Sequence, residues 1–281
     1  MSIRPAAVGT GIVFVRSDLN NAIIPARWDA VLPSKLCTRL ANDDGDVIST
    51  VEHVMAALAG CGVHNAVVTV DGPEIPILDG SAADYANAIL RAGLEVVDQP
   101  LKAWVVQEPV AVEGGASWAR LEPHDGYQVT FGIEFENTII GHQEMSLDMA
   151  NGTFVRELCD SRTFCRYDDV EMMREQGLAL GGTFSNALVV DGDRYLTPGG
   201  PRRHDEAVRH KILDAIGDLA LAGAPLVGRF VAHRGGHALT NRLLRKAFCQ
   251  PGAMRLVELS DAQALRLPGF GTSHADMPAV A

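Results

Sequence analysis

At 281 residues the chain can bury one large core or two ordinary ones, and with 47% hydrophobic and 21% charged residues it reads as a soluble globular protein. No apolar run approaches the ~18–20 residues that span a bilayer, and the N-terminus, Met-Ser-Ile-Arg-Pro, lacks a signal-peptide core. A net charge of −11 argues against a nucleic-acid surface, which needs clustered Lys and Arg, so any bound phosphate must meet a local basic patch.

In chain order, Ile12–Arg16 and Ala66–Val70 are predicted strands, the second closing on a turn at Asp71-Gly72. Between them Ser49–Leu58 is a predicted helix that Gly60 and Gly62 stop. Ala82–Ala92 is a second helix, ended by Gly93, and the polar stretch Val97–Lys102 is the best domain boundary. Beyond it, Trp104–Val112, Trp118–Leu121 and Gln128–Phe135 should be strands, Asp168–Gln176 a helix and Ala187–Val190 a strand. Asp205–Leu221 is the main helix, followed by a strand at Phe230–His233 and a helix at Asn241–Ala247. Residues 1–98 and 99–281 thus each combine strands with about two helices, an α+β pattern that fits two α/β sandwiches packed on each other. Cys37, Cys61, Cys159, Cys165 and Cys249 are odd in number and form no Cys-x-x-Cys pair, which suits reduced thiols of a cytoplasmic protein.

The main helix carries the chemistry. His210, Asp214 and Asp218 fall at i, i+4 and i+8, in one column, while Val208, Ile212, Ala215, Ile216 and Leu219 make an apolar stripe on another face. An imidazole and a carboxylate one turn apart can ligate one metal ion; the competing reading is a solvated face of helical ion pairs. Glu52 and His53 begin the earlier helix, and His237 sits in a glycine-opened turn at Gly235-Gly236. Together these are the parts of a catalytic zinc site with three ligands, a base and an acid. Ser49-x-x-Glu52 also spells a capping box, which would make Glu52 structural.

At these residues the chain resembles the UDP-3-O-acyl-N-acetylglucosamine deacetylases, zinc amidases that commit bacteria to lipid A synthesis. The resemblance is carried by Ser-Thr-Val-Glu-His (49–53), Pro-Glu-Ile-Pro-Ile-Leu-Asp-Gly-Ser-Ala (73–82), Ser-Arg-Thr-Phe (161–164) and Leu-Gly-Gly-Thr-Phe (180–184). Val-Arg-His-Lys-Ile-Leu-Asp-Ala-Ile-Gly-Asp (208–218) and Gly-His-Ala-Leu (236–239) complete it in order. It implies two α/β sandwiches packed through their helices, with a β-α-β insert at about 165–190 that walls an acyl passage; Leu178, Ala179, Leu180 and Phe184 would line it. It also implies His53, His210 and Asp214 as ligands of zinc, Fe(II) being the other ion these donors suit. Glu52 would be the general base. His237 would be the cationic acid oriented by Asp218, and Thr163 a hydroxyl beside the oxyanion. Lys211, Arg234, Phe164 and Gly182 would meet substrate. Cys37 resembles a family cysteine near the metal and is not counted as a ligand, because a fourth protein ligand would close the site. The implied partner is a UDP-linked acylated amino sugar, with no nucleic acid, no membrane insertion and a monomeric chain.

Two departures from the family stand out. Family members carry about one further hairpin ahead of Met1, so the first sheet is expected to lack edge strands and to expose apolar surface. Arg166 and Tyr167 replace apolar residues near the passage. A truncated, non-catalytic paralogue that only holds a UDP-sugar or acylated ligand is the rival reading.

Overall fold

Three short strands open the chain: β1 (Ser2–Pro5), β2 (Ile12–Arg16) and β3 (Ala22–Pro25). Here a computed structural model describes residues 1–34, 36–170 and 181–279. A small antiparallel sheet follows, formed by β4 (Val31–Leu32), β5 (Arg39–Ala41) and β6 (Val47–Ser49). Next, β7 (Ala66–Val70) inserts between β1 and β2, giving the sheet order β1-β7-β2-β3 with β2 and β7 parallel. Along β7, Ala66, Val68 and Val70 are buried while Val67 and Thr69 are half-buried, the period of two that a one-sided sheet requires. β1 forms an edge of this sheet and pairs with β7 through all four of its residues. Val8 and Ile23, in the same part of the chain, are exposed.

The helices α1 (Glu52–Gly60) and α2 (Ala83–Ala92) differ in character. α2 is amphipathic, burying Ala83, Tyr85, Ala86 and Ile89. α1 buries every residue except Ala59, so Glu52 and His53 are enclosed although they open the helix. The predicted start at Ser49 is corrected: Ser49 ends β6, Val51 is the N-cap, and no side chain caps the helix. The capping-box reading of Glu52 fails with it.

A seven-stranded sheet follows, built from β8 (Lys102–Val106), β9 (Val110–Gly114), β10 (Ser117–Glu122), β11 (Tyr127–Phe135) and β12 (Gly141–Asp148), with two later strands. The single strand expected over Trp104–Val112 is two, because Pro109 has no N–H to donate to a ladder. A small sheet holds β13 (Phe164–Arg166), parallel to β14 (Leu188–Asp191), and β15 (Arg194–Tyr195). Residues 167–170 begin helical, and the rest of the helix expected to Gln176 lies outside the described residues, as do Leu178, Ala179 and Leu180. Phe184 is exposed, and Arg166 pairs with Asp168 at 3.2 Å. Because β13 and β14 are parallel, the chain between them must cross over rather than turn back in a hairpin.

Helix α3 (Glu206–Ala220) precedes β16 (Leu226–His233), which sits at the centre of the large sheet between β11 and β10. α4 (His237–Cys249), β17 (Met254–Glu258) and α5 (Asp261–Ala264) complete the chain. His237 is the first residue of α4 rather than part of a turn, Gly236 being its extended N-cap. The architecture is mixed α and β, with helices packed against sheets. No helix among the described residues is long and apolar enough to cross a membrane.

α1 packs on α3. Gly217 makes that possible: a Cβ there would lie 2.0 Å from the Glu52 carbonyl oxygen. The absent side chain lets one backbone touch the other. That contact sets the site.

Candidate metal centre and active site

Packing α1 on α3 places His53 opposite the column His210–Asp214. One nitrogen from each imidazole and one Asp214 oxygen lie within 4.8 Å of one another, all three residues buried. Asp214 Oδ1 is 3.3 Å from His210 Nε2 and 3.6 Å from His53 Nε2, and it accepts no hydrogen bond. The other His210 nitrogen, Nδ1, lies 3.0 Å from the Ser161 carbonyl. A carbonyl only accepts, so Nδ1 carries the proton and Nε2 presents a lone pair. A buried carboxylate oxygen and an imidazole lone pair facing each other repel unless a cation lies between them. The donor set fits a divalent metal.

The segment over His210 is held from below. Glu206, the first residue of α3 and buried, accepts from the backbone N–H of Arg162 and from its guanidinium, each at 2.9 Å. This buried, bidentate pair fixes Ser161–Phe164 against the helix. Phe164 then presents its ring edge-on to His210, centroids 6.3 Å apart. Thr163 is anchored on the same segment, its N–H donating to the Gly80 carbonyl.

Beside the three donors stand two carboxylates and a third imidazole. His237 Nδ1 donates to Asp218 Oδ2 at 2.8 Å, and Nε2 points toward Glu52 Oε1 at 3.8 Å and Asp214 Oδ2 at 3.9 Å. Burial opposes the charge on His237, yet the carboxylates of Asp218 and Glu52 outweigh it and push its pKa up to about 10. Burial raises the Glu52 pKa, partly offset by His237 and His53. Burial lowers His210 to about 4, keeping it neutral as a ligand must be. Asp214 runs the other way: burial would raise its pKa, but His210 and Lys211 hold it well below the usual carboxylate range.

The metal-free protein should therefore keep His237 protonated far into the alkaline range. Its folded pKa lies above the unfolded value of 6.5, so the stability from this pair is fully present below about pH 6.5 and is lost as pH rises through about 10. NMR titration of the His237 ring in metal-free protein should show a midpoint near 10, and added metal should lower it by charge repulsion. A midpoint near 6.5 without metal would break the assignment.

Glu52, His53, His210, Asp214, Asp218 and His237 converge. Lys211, expected to meet substrate, has its ammonium bound to Asp214 Oδ2 at 2.7 Å. Arg234 is exposed, in the left-handed region at φ 51°, and its guanidinium makes no ion pair with the described residues. Gly182 lies in the loop that leads to β14. Cys37 is half-buried and lines a cavity of about 240 Å³ together with Thr38, His237, Asn241 and Arg245.

Thr38 was not expected. Its N–H donates to Glu52 Oε2 at 3.0 Å and its hydroxyl to Asp218 Oδ1 at 2.5 Å. The partners lie 14 and 180 residues away, so no local spacing could have announced it.

A buried two-histidine, one-carboxylate cluster flanked by a glutamate and a His–Asp pair is the donor set of a metal-dependent hydrolase. The profile of the UDP-3-O-acyl N-acetylglycosamine deacetylase family matches residues 1–248, and the chain belongs to that family. A UDP-3-O-acyl-N-acetylglucosamine deacetylase of Shewanella violacea is 45% identical over 260 residues, 92% of this chain and 85% of the relative. The protein of that name from Shewanella sediminis is 46% identical over 267 residues, 94% and 87% of the two chains.

Proposed function

We propose that the chain hydrolyses the N-acetyl group of UDP-3-O-((R)-3-hydroxyacyl)-N-acetylglucosamine, in lipid A biosynthesis, with a divalent metal held by His53, His210 and Asp214. Family membership supports the reaction. The unpartnered, buried Asp214 Oδ1 between two imidazoles is the observation that carries the metal. Zinc suits two nitrogens, one oxygen and an open position, and Fe(II) takes the same donors. When bound, the ion supplies Lewis-acid polarisation of the acetamide carbonyl and of the attacking water.

The chain's own residues do the rest. Glu52 Oε1 takes the proton of the water that adds to the carbonyl carbon, its other oxygen being held by the Thr38 N–H. His237 Nε2 gives a proton to the departing amine nitrogen while Asp218 holds Nδ1–H, so water and acetamide become acetate and the protonated amine once the proton on Glu52 is passed on. Thr163 offers its hydroxyl to the oxyanion. Lys211 steadies Asp214 through Oδ2, which leaves Oδ1 for the metal. Phe164, Gly182, Lys211 and Arg234 form the substrate border in this reading, Arg234, which is exposed, being the cation for the diphosphate. A role confined to binding has no use for both a base and a proton donor.

In this reading residues 1–98 and 99–281 are two sandwiches whose helices face each other, with the α1–α3 contact as the seam that holds the site. The insert at about 165–190 walls the acyl chain. The protein acts as a cytoplasmic monomer, and five unpaired cysteines suit that compartment.

The test is acetate release. Chelation should abolish it, and about one equivalent of zinc should restore it. Asp214→Ala should bind metal far more weakly, because one of three ligands is lost, and should lose activity at ordinary metal concentrations. Protein prepared without chelators that contains no metal, and takes up none on titration, would refute the site.

A further inference from the structure

We propose that Thr38 is a positioning residue that locks the base and the acid to each other, an inference that rests on the roles given above to Glu52 and His237. Thr38 lies just before β5, outside both site helices, yet it is bonded to each. Its N–H donates to Glu52 Oε2 on α1, and its hydroxyl donates to Asp218 Oδ1 on α3. Its carbonyl accepts from Val51, the N-cap of α1, at 3.4 Å. All its polar groups are spent on the site, and the residue is 3% exposed.

The geometry gives each bond a consequence. A carboxylate has two oxygens, and one held at a single point can still turn about its Cβ–Cγ bond. Asp218 Oδ2 holds the imidazole of His237, and the Thr38 hydroxyl occupies Oδ1, so the plane of the carboxylate is fixed. The imidazole it carries is then aimed, with Nε2 3.8 Å from Glu52 Oε1. On the other side, the Thr38 N–H occupies Glu52 Oε2 and leaves Oε1 as the oxygen that faces His237. One residue thus decides which oxygen of the base is available and where the acid points. Groups that orient reacting side chains in this way contribute through rate rather than through substrate affinity.

The experiment uses the full metal-loaded chain with Thr38→Val, which removes the hydroxyl at nearly constant shape, and Thr38→Ser, which keeps it. Thr38→Val should lower kcat about 10–100-fold, with KM and metal content unchanged within about twofold. Thr38→Ser should return most of the lost rate. In an Asp218→Ala background, Thr38→Val should cost nothing further, because the carboxylate it aims is gone. Normal kcat in Thr38→Val, a serine variant as slow as the valine one, or the same loss in the Asp218→Ala background would each overturn the proposal. If Thr38→Val does not fold, NMR of the unsubstituted protein decides: the hydroxyl proton of Thr38 should exchange slowly, and fast exchange would refute the bond. Glu52→Ala run in parallel separates the two claims. A near-normal rate there strikes the general-base reading itself, whereas an inactive Glu52→Ala beside a fully active Thr38→Val strikes only Thr38.

Discussion

Glu52→Ala should lower acetate release about 10²–10⁴-fold, the usual loss on removing a general base, while leaving metal content unchanged. The separation follows from position. Glu52 neighbours His53 in sequence, but it is not one of the three donors: its oxygens meet the Thr38 N–H and face His237 Nε2. No ligand is lost with it. The helix is not at risk either, since Glu52 does not cap it and α1 is held by the burial of eight of its nine residues. Burial raises the Glu52 pKa toward the working pH, which suits a base that must both take and release a proton. Kinetics and elemental analysis on one preparation check both halves. Turnover near that of the parent, with metal in place, would return Glu52 to a structural role.

Gly217→Ala is the second large effect, and its sign is the informative part. Glycine inside a helix ordinarily costs about 1 kcal/mol relative to alanine, so this change should stabilise an exposed helix. Here the new Cβ would lie 2.0 Å from the Glu52 carbonyl oxygen and 2.8 Å from its carbon, and backbone cannot swing aside as a flexible side chain can. α1 and α3 must part, at a cost of about 3 kcal/mol or more. For a chain of this size that is a fall in Tm of roughly 6–12 °C. Because His53 rides on α1 and both His210 and Asp214 on α3, the same parting spreads the ligands, so metal affinity should fall although no ligand has changed. Calorimetry with and without metal measures both. A variant that is more stable than the parent would show that the helices do not meet at Gly217.

What could be read from the chain alone was local. His210, Asp214 and Asp218 share a face because 3.6 residues make a turn, and that holds wherever the helix lies. The apolar stripe of α3 and the alternation along β7 are legible for the same reason, since a residue's face depends only on its near neighbours. Glu52, His53 and His237 offered suitable residue types without a spacing that joins them, and the resemblance to a family supplied their roles. Element ends were read less well: Pro109 divides a strand, and α1 begins three residues later than Ser49 suggested.

The tertiary structure decided everything that joins residues far apart in the chain. That the Lys211 ammonium lies 2.7 Å from Asp214 Oδ2 depended on how the side chains pack, and no spacing in the sequence announced it. Thr38 has an unremarkable sequence context, yet it holds Glu52 and Asp218 because β5 enters beside the seam of two helices. Gly217 is one residue of a motif in the sequence, yet in the fold it is the close approach on which that seam depends. Periodicity is written into consecutive residues. Convergence is not, because it follows from which surfaces can be buried against each other, and that is settled only when the whole chain packs.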